Sequence, residues 1–229
     1  MAHDLKNPFT SLLGSSELLT DNIDQMSVEN IRELALILND SAKAGYAILQ
    51  NLLDWSRSQT GMLKFNPEKI NLKTLIDENI DNLQLQSNNK GLYMSTELTE
   101  ELFIFADKNM INTVLRNLLS NAVKYTFKNG TIIVGVTPTP EEILIKVKDS
   151  GTGIAVEKVE NLFKIENSLS QPGTEKEQGT GLGLKLCKEF TEKMGGRIWV
   201  ESEVGKGCEF KFTIPLNGVK VQGRKGTTA

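Results

Sequence analysis

The chain is poor in several features that mark large classes of protein. Its 229 residues include only two cysteines, Cys187 and Cys208. They lie far apart, match no metal-ligand spacing, and read as buried, reduced thiols in a cytoplasmic setting. There is a single histidine, His3. No run of about 18 apolar residues is present, so no segment reads as membrane-spanning, and no secretory leader is recognisable. The net charge of −3 excludes the broad basic field of a nucleic-acid binder. No G-x-x-x-x-G-K-[ST] phosphate loop occurs. Hydrophobic residues nevertheless make up 39% of the chain, enough for a genuine core in one large domain or two smaller ones.

Two periodic patterns organise the chain. Residues 1–23 place Leu5, Phe9, Leu12, Ser16, Leu19 and Ile23 at alternating spacings of four and three, a coiled-coil seam. Residues 29–58 repeat it with Ile31, Leu34, Leu38, Ser41, Gly45, Ile48, Leu52 and Trp55. The polar break from Thr20 to Glu29 makes these an antiparallel helical hairpin. A hairpin alone cannot cover both faces of its seam, so a second copy is expected to complete a four-helix bundle. Met1 stands two residues before His3, inside a helix already under way, so an upstream sensory segment is expected.

The pattern stops near Gly61 and Pro67. The domains expected are a hairpin at 1–58, a linker at 59–66, a second domain at 67–217 and a disordered Gly/Lys/Thr-rich tail at 218–229. Within the second domain helices are predicted at 72–88, 108–126 (capped by Asp107), 155–163 and 181–194. Strands are predicted at 92–98, 102–106, 130–137, 142–149, 197–202 and 207–215. The polar stretch 164–180 reads as a mobile loop.

Four short motifs carry the chemistry: AHDLKNP at 2–8, NLLSNAVKY at 117–125, DSGTGI at 149–154 and GTGLGL at 179–184. In the first, one neutral imidazole nitrogen of His3 is a good nucleophile near neutral pH. Asp4 can hold the tautomer and take the proton, and Asn7 lies one turn along. Pro8 removes the helical donor to the Asp4 carbonyl, which should loosen the helix beside His3. In the second motif Asn117, Asn121 and Lys124 share one helical stripe. Amide oxygens are hard ligands suited to Mg²⁺, and a lysine suits a phosphate. In the third, Asp149 has the parity of Ile143, Ile145 and Val147, so a carboxylate ends a buried face; the adenine amino group is a suitable partner. Gly151 and Gly153 allow a tight turn and a close approach of the base. In the fourth, Gly179, Gly181 and Gly183 open a helix whose backbone N–H groups can bind phosphates.

The order and spacing of these motifs resemble the catalytic core of the sensor histidine kinases of two-component signalling, from His3 to about Pro215. The resemblance implies a two-domain α plus α/β fold. A dimerising phosphoacceptor hairpin would precede an α/β sandwich of the histidine kinase and gyrase ATPase type. It implies that His3 is the phosphoacceptor, with Asp4 as proton acceptor and Asn7 orienting a hydrolytic water. It assigns Mg²⁺ to Asn121, and the metal and phosphate region to Asn117. Lys124 and Tyr125 go to the phosphates and ribose, and adenine goes to Asp149. Gly151, Gly153, Ile154, Thr180, Gly181, Leu182 and Gly183 belong to the two glycine motifs around ATP. Phe163 anchors the segment 164–180, which resembles the family's ATP lid. The Gly205–Phe210 segment matches the family's closing glycine segment, with Cys208 where Thr or Ser is usual. The function implied is ATP-dependent autophosphorylation of His3 and transfer to an aspartate of a response regulator, with homodimerisation. No nucleic acid or membrane contact is expected within the chain. Gyrase-type ATPases carry a glutamate base four residues before the metal-binding asparagine; here that position is Asn117. The alternative is a dimeric nucleotide-binding scaffold with little transfer activity, which His3's place in a fraying first turn favours for this length of chain.

Overall fold

The computed structural model describes residues 2–59, 65–163, 173–175 and 181–216. The linker residues 60–64, most of the expected lid and the tail from 217 lie outside the described residues. The chain divides into two compact units, Met1–Leu63 and Lys64–Ala229.

The first unit is a helical hairpin of α1 (Ala2–Asn22) and α2 (Val28–Gln59), joined by a short 3-10 turn at Ile23–Gln25. Pro8 lies inside α1, which continues past it. On α2 the predicted seam positions Ile31, Leu34, Leu38, Ser41, Gly45, Ile48 and Leu52 are half-buried or buried, as is Gln50, and the Trp55 side chain lies outside the described ones. On α1 the inward stripe is partly offset from the prediction, although the Phe9 ring still lies 3.8 Å from a Cβ position at Gly45 of α2. Pro8, Ser11, Leu12, Ser15, Leu19 and Asn22 face inward, while Phe9 and Ile23 are about half exposed. The small residues explain the offset. Ser15 is buried, and the Ser41 hydroxyl donates to Ser11 across the hairpin at 3.0 Å, a contact only short side chains can make. Leu13, Leu18, Leu36, Leu49 and Leu53 stay exposed on the single hairpin.

The second unit is an α/β sandwich. Its main sheet has the order β2-β4-β5-β7-β6, built from Tyr93–Thr96, Thr131–Pro138, Glu142–Asp149, Gly207–Pro215 and Ile198–Glu203. β2 and β4 run parallel, and the other pairs are antiparallel. A second, two-stranded sheet pairs β1 (Glu68–Asn71) with β3 (Phe103–Ala106). Helices α3 (Leu72–Asn82), α5 (Lys108–Tyr125) and α7 (Gly183–Lys193) form the other layer. Alternation along the strands sends Ile132, Val134, Ile143, Ile145, Val147, Phe210 and Phe212 toward Ile76, Ile111, Leu115, Leu118 and Leu186 of the helices. Burying each such side chain stabilises by roughly 1.5–3 kcal/mol. On the opposite face Lys211 pairs with Glu201 and Glu209, both at 2.7 Å.

Three elements differ from expectation. The helix expected over 72–88 is two, α3 and α4 (Gln84–Asn89), because the apolar stripe Leu72, Leu75, Ile76, Ile80 ends before Leu83. The chain then turns so that Ser87 is buried while Leu85 is exposed. The helix expected at 155–163 is only α6 (Val156–Val159), followed by turns. β1 has no counterpart in the prediction.

Candidate functional site

The site is organised by the C-terminal end of α5. Asp107 caps the other end: one carboxylate oxygen accepts from the backbone N–H of Asn109 (3.0 Å) and Met110 (3.1 Å). Its other oxygen accepts from the N–H of Asn66 at 2.9 Å. The stripe of Ile111, Leu115, Leu118 and Ala122 is buried, which fixes the rotation of the helix. Asn117, Asn121, Lys124 and Tyr125 are consequently half-buried beside that stripe. The Asn117 amide nitrogen donates to the Thr113 carbonyl at 2.8 Å. Among the described residues the Asn121 side chain has no hydrogen-bond partner. The Lys124 ammonium lies 4.7 Å from the centre of the Tyr125 ring.

A helix ends with carbonyls that its own N–H groups cannot reach. Here other segments supply the donors. Lys90 is 4% exposed, and its ammonium donates to the carbonyls of Val123 (2.8 Å) and Lys124 (3.1 Å). The Thr152 N–H donates to the Tyr125 carbonyl at 3.1 Å. Thr174 donates its N–H to Lys124 (3.1 Å) and its hydroxyl to Thr126 (3.0 Å). The last turn of α5 is thereby tied to the segment after α4, the loop after β5 and residues 173–175.

The glycines make the remaining contacts. A Cβ at Gly151 would lie 2.3 Å from the Tyr125 carbonyl oxygen, and one at Gly183 would lie 2.6 Å from Oδ1 of Asn117. At Gly153, with φ of +67°, a Cβ would meet the Glu203 carbonyl at 2.0 Å. The close approach that the sequence reading gave to a base is made at Gly151 and Gly153 by the chain's own backbone. Gly181 adopts φ of +66°, and the N-cap residue of α7, Leu182, makes no side-chain capping bond of its own. That helix begins at Gly183, two residues later than predicted.

Asp149 ends β5 in the buried row and is 5% exposed. Its Oδ1 accepts from the N–H of Gly151 (2.8 Å) and of Cys208 (3.3 Å). Burial pushes its carboxyl above the usual range, and the two N–H bonds pull the other way. Cys208 is its cross-strand neighbour, and Ser202 is the neighbour of Cys208 on β6. Burial, with Asp149 beside it, pushes the Cys208 thiol up to about 11, against the Ser202 hydrogen bond. Ile154 donates its N–H to the Ser202 hydroxyl at 2.8 Å.

The structure thus brings Asn117, Tyr125, Asp149, Gly151 and Gly183 into one neighbourhood. Leu182 is there through its backbone, while its side chain is 4% exposed in the core. Phe163 is half-buried in the turns after α6. Thr180 lies outside the described residues. His3 and Asp4 are in the first turn of α1, with side chains outside the described ones, and Asn7 is half-buried one turn on. Lys90, Ser202 and Thr174 were not singled out in the sequence. Ser202 alone carried a signal, since it shares the inward parity of Ile198 and Val200.

Among the described residues no group of three or more His, Cys, Asp or Glu side chains could hold a metal ion. The hard oxygen donors that could serve a cation here are the half-buried amides of Asn117, which lies against Gly183 at the start of α7, and of Asn121 one turn on. This fits a hard cation that keeps most of its waters and binds with a polyphosphate.

Comparison with known proteins shows the family. Residues 1–61 match the His Kinase A (phospho-acceptor) domain, and residues 106–218 match the histidine kinase-, DNA gyrase B- and HSP90-like ATPase family. The chain belongs to the sensor histidine kinases. It is 30% identical to the adaptive-response sensory kinase SasA of Synechococcus elongatus, over 94% of this chain and 57% of SasA. It is 31% identical to the sensor protein SrrB of Staphylococcus aureus, over 94% of this chain and 37% of SrrB. The chain thus spans about half or less of these relatives. A solved histidine kinase, ThkA in complex with the response regulator TrrA, superposes with a TM-score of 0.67 at 25% identity, over 94% of this chain and 59% of that one. No described helix is long and apolar enough to cross a membrane.

Proposed function

We propose that the chain is the catalytic core of an ATP-dependent protein-histidine kinase. His3 takes the γ-phosphoryl group of ATP and passes it to an aspartate on a response-regulator receiver domain. The observation that carries the reading is the packing of the 117–125 helix against both glycine motifs, at Gly151 and at Gly183. That packing supports a site in which the Asp149 carboxylate, the Asn117 and Asn121 amides, Lys124 and the start of α7 act together.

Each group has a task there. The second carboxylate oxygen of Asp149 accepts from the exocyclic amine of adenine. The backbone of Gly151, Gly153 and Ile154 lines the base. Lys124 and Tyr125 lie along the ribose and phosphates, and the backbone of Gly181, Leu182 and Gly183 receives phosphate oxygens at the start of α7. Thr180 and Phe163 belong to the lid side. Asn121, with Asn117 one turn before it, would hold Mg²⁺, which when bound would offset phosphate charge. The neutral imidazole nitrogen of His3 attacks the γ-phosphorus in line. A nitrogen–phosphorus bond forms, the bond to the bridging oxygen breaks, ADP leaves, and Asp4 takes the imidazole proton. Asn7 orients a water for the reverse task, dephosphorylation of the regulator.

The exposed leucines of the hairpin support a homodimer in which a second copy completes a four-helix bundle. The ThkA–TrrA complex supports a receiver domain as partner. The test is transfer of label from γ-labelled ATP to the wild-type chain, to His3→Gln and to Asp149→Asn. Label on the wild type alone is expected. Equal labelling of His3→Gln would refute the acceptor. ATP binding without any labelling, even in an upstream-extended chain, would favour a nucleotide-binding scaffold.

A further inference from the structure

Asp149 can read a base only if its second carboxylate oxygen is held in a fixed direction. Its first oxygen is fixed by two N–H groups from different segments, Gly151 in the loop after β5 and Cys208 in β7. The β5–β7 ladder already sets Cys208 opposite Asp149, but the loop after β5 lies outside that ladder, so something must hold it against β7. Ser202 does so from a third strand. Its hydroxyl accepts the Ile154 N–H at 2.8 Å and donates to the Gly207 carbonyl at 2.8 Å, with the Cys208 sulfur 3.2 Å away. A hydroxyl has one proton, and the Gly207 carbonyl is a better acceptor than the Cys208 sulfur, so Gly207 takes the larger share of it. One side of the hydroxyl thus holds the 149–154 loop and the other holds the residue before Cys208. Two further contacts close the same junction: the Gly205 N–H donates to the Thr152 carbonyl at 2.8 Å, and Gly153 packs on the Glu203 carbonyl.

We infer that Ser202 is a positioning residue for base recognition: its hydroxyl clamps the loop after β5 to β7 and so aims the Asp149 carboxylate. The inference rests on the nucleotide reading above. It predicts that removing the hydroxyl damages discrimination between bases as well as affinity. Inosine triphosphate, which has an oxygen in place of the amine that Asp149 would accept from, is the discriminating ligand.

The experiment titrates ATP and inosine triphosphate into the wild-type chain, Asp149→Asn, Ser202→Ala and the pair Ser202→Thr and Ser202→Val. Thr and Val have the same shape, so the hydroxyl is their only difference, which covers the case of an Ala variant that folds poorly. Ser202→Ala and Ser202→Val should weaken ATP binding about tenfold and shrink the ATP preference by a similar factor, the scale of one hydrogen bond. Ser202→Thr should stay within about threefold of wild type. A preference unchanged in Ser202→Val but lost in Asp149→Asn would overturn the inference and leave the nucleotide reading standing, even if the valine variant melted earlier. No preference in the wild type would overturn both.

Discussion

Gly151→Ala is the sharpest test of how the site is assembled, because it keeps every existing backbone and side-chain group and adds only one methyl. The added methyl would lie 2.3 Å from the Tyr125 carbonyl oxygen and 2.8 Å from Oδ1 of Asp149. The carbonyl cannot yield, since Lys90 and Thr174 hold its neighbours in the last turn of α5. The loop must lift instead. Lifting strains the Thr152 bond to Tyr125 and the Gly151 bond to Asp149. The first is worth about 1 kcal/mol and the second, to a charged group, about 1.5–3 kcal/mol. Crowding adds about 1–3 kcal/mol, part of which relaxation recovers. A net loss of about 3 kcal/mol is expected, or roughly 6–12 °C in melting temperature for a unit of this size. ATP affinity should fall at least about tenfold because Asp149 moves with the loop. Gly205→Ala is the control. Its φ is +80° but nothing lies within 4 Å of the new methyl, so it should cost only about 1–2 kcal/mol and leave binding intact. The reasoning fails if calorimetry and ATP titration show the Gly151 variant behaving like the Gly205 control.

Asp149→Asn should lose ATP binding without losing stability. Burial raises the Asp149 pKa above its ordinary 3.8, so its contribution to folding is fully present below 3.8 and is lost as pH rises through the folded value. At neutral pH the carboxylate therefore costs stability. The asparagine variant should unfold in urea no earlier than wild type at pH 7, with any advantage shrinking as pH falls toward 3.8; an earlier midpoint at pH 7 would contradict this. Lys90→Met removes the donor to the Val123 and Lys124 carbonyls and should lower the unfolding free energy by about 3 kcal/mol in urea titration. A loss under about 1 kcal/mol would show that water replaces the ammonium. Both thiols should resist an aromatic disulfide reagent at pH 8 until the chain unfolds. Cys187 is fully buried with its pKa raised by that burial, and Cys208 at about 11 is ionised only about one part in a thousand. Rapid labelling of folded protein would refute this.

How much of this was legible in the sequence depended on how local the cause was. The stripe on α5 and the parity of β5 are set within one element. Pattern reading therefore placed Asn117, Asn121 and Lys124 together on the helix and put Asp149 at the end of the buried face. β1 was missed because Glu68–Asn71 has only Ile70 buried; it exists as a strand through its pairing with β3, more than 30 residues away. The inward stripe of α1 was read in part: Leu12 and Leu19 face inward and Phe9 lies against Gly45, whereas Ser16 and Ile23 are exposed and the helices approach through Ser11 and Ser15. The glycines of 149–154 were recognised, but their cramped neighbours, Tyr125 and Glu203, come from other parts of the chain.

Lys90 was invisible for a related reason, and it shows how the site holds together. A lysine next to a glycine reads as a surface turn, and burying its ammonium would ordinarily be costly. Here the cost is offset because the charge meets the carbonyl end of α5, where a helix carries partial negative charge and unmade hydrogen bonds. Thr152 and Thr174 answer neighbouring carbonyls of the same turn. The end of one helix therefore does what a dedicated scaffold would do. Its own side chains, Asn117 to Tyr125, face the candidate site, while its exposed backbone acceptors recruit the loop that follows Asp149. Any change that loosens these carbonyls should move the amides and the carboxylate together, so substitutions at Lys90 and Gly151 should weaken ATP binding in parallel, although Lys90 is not placed against the nucleotide.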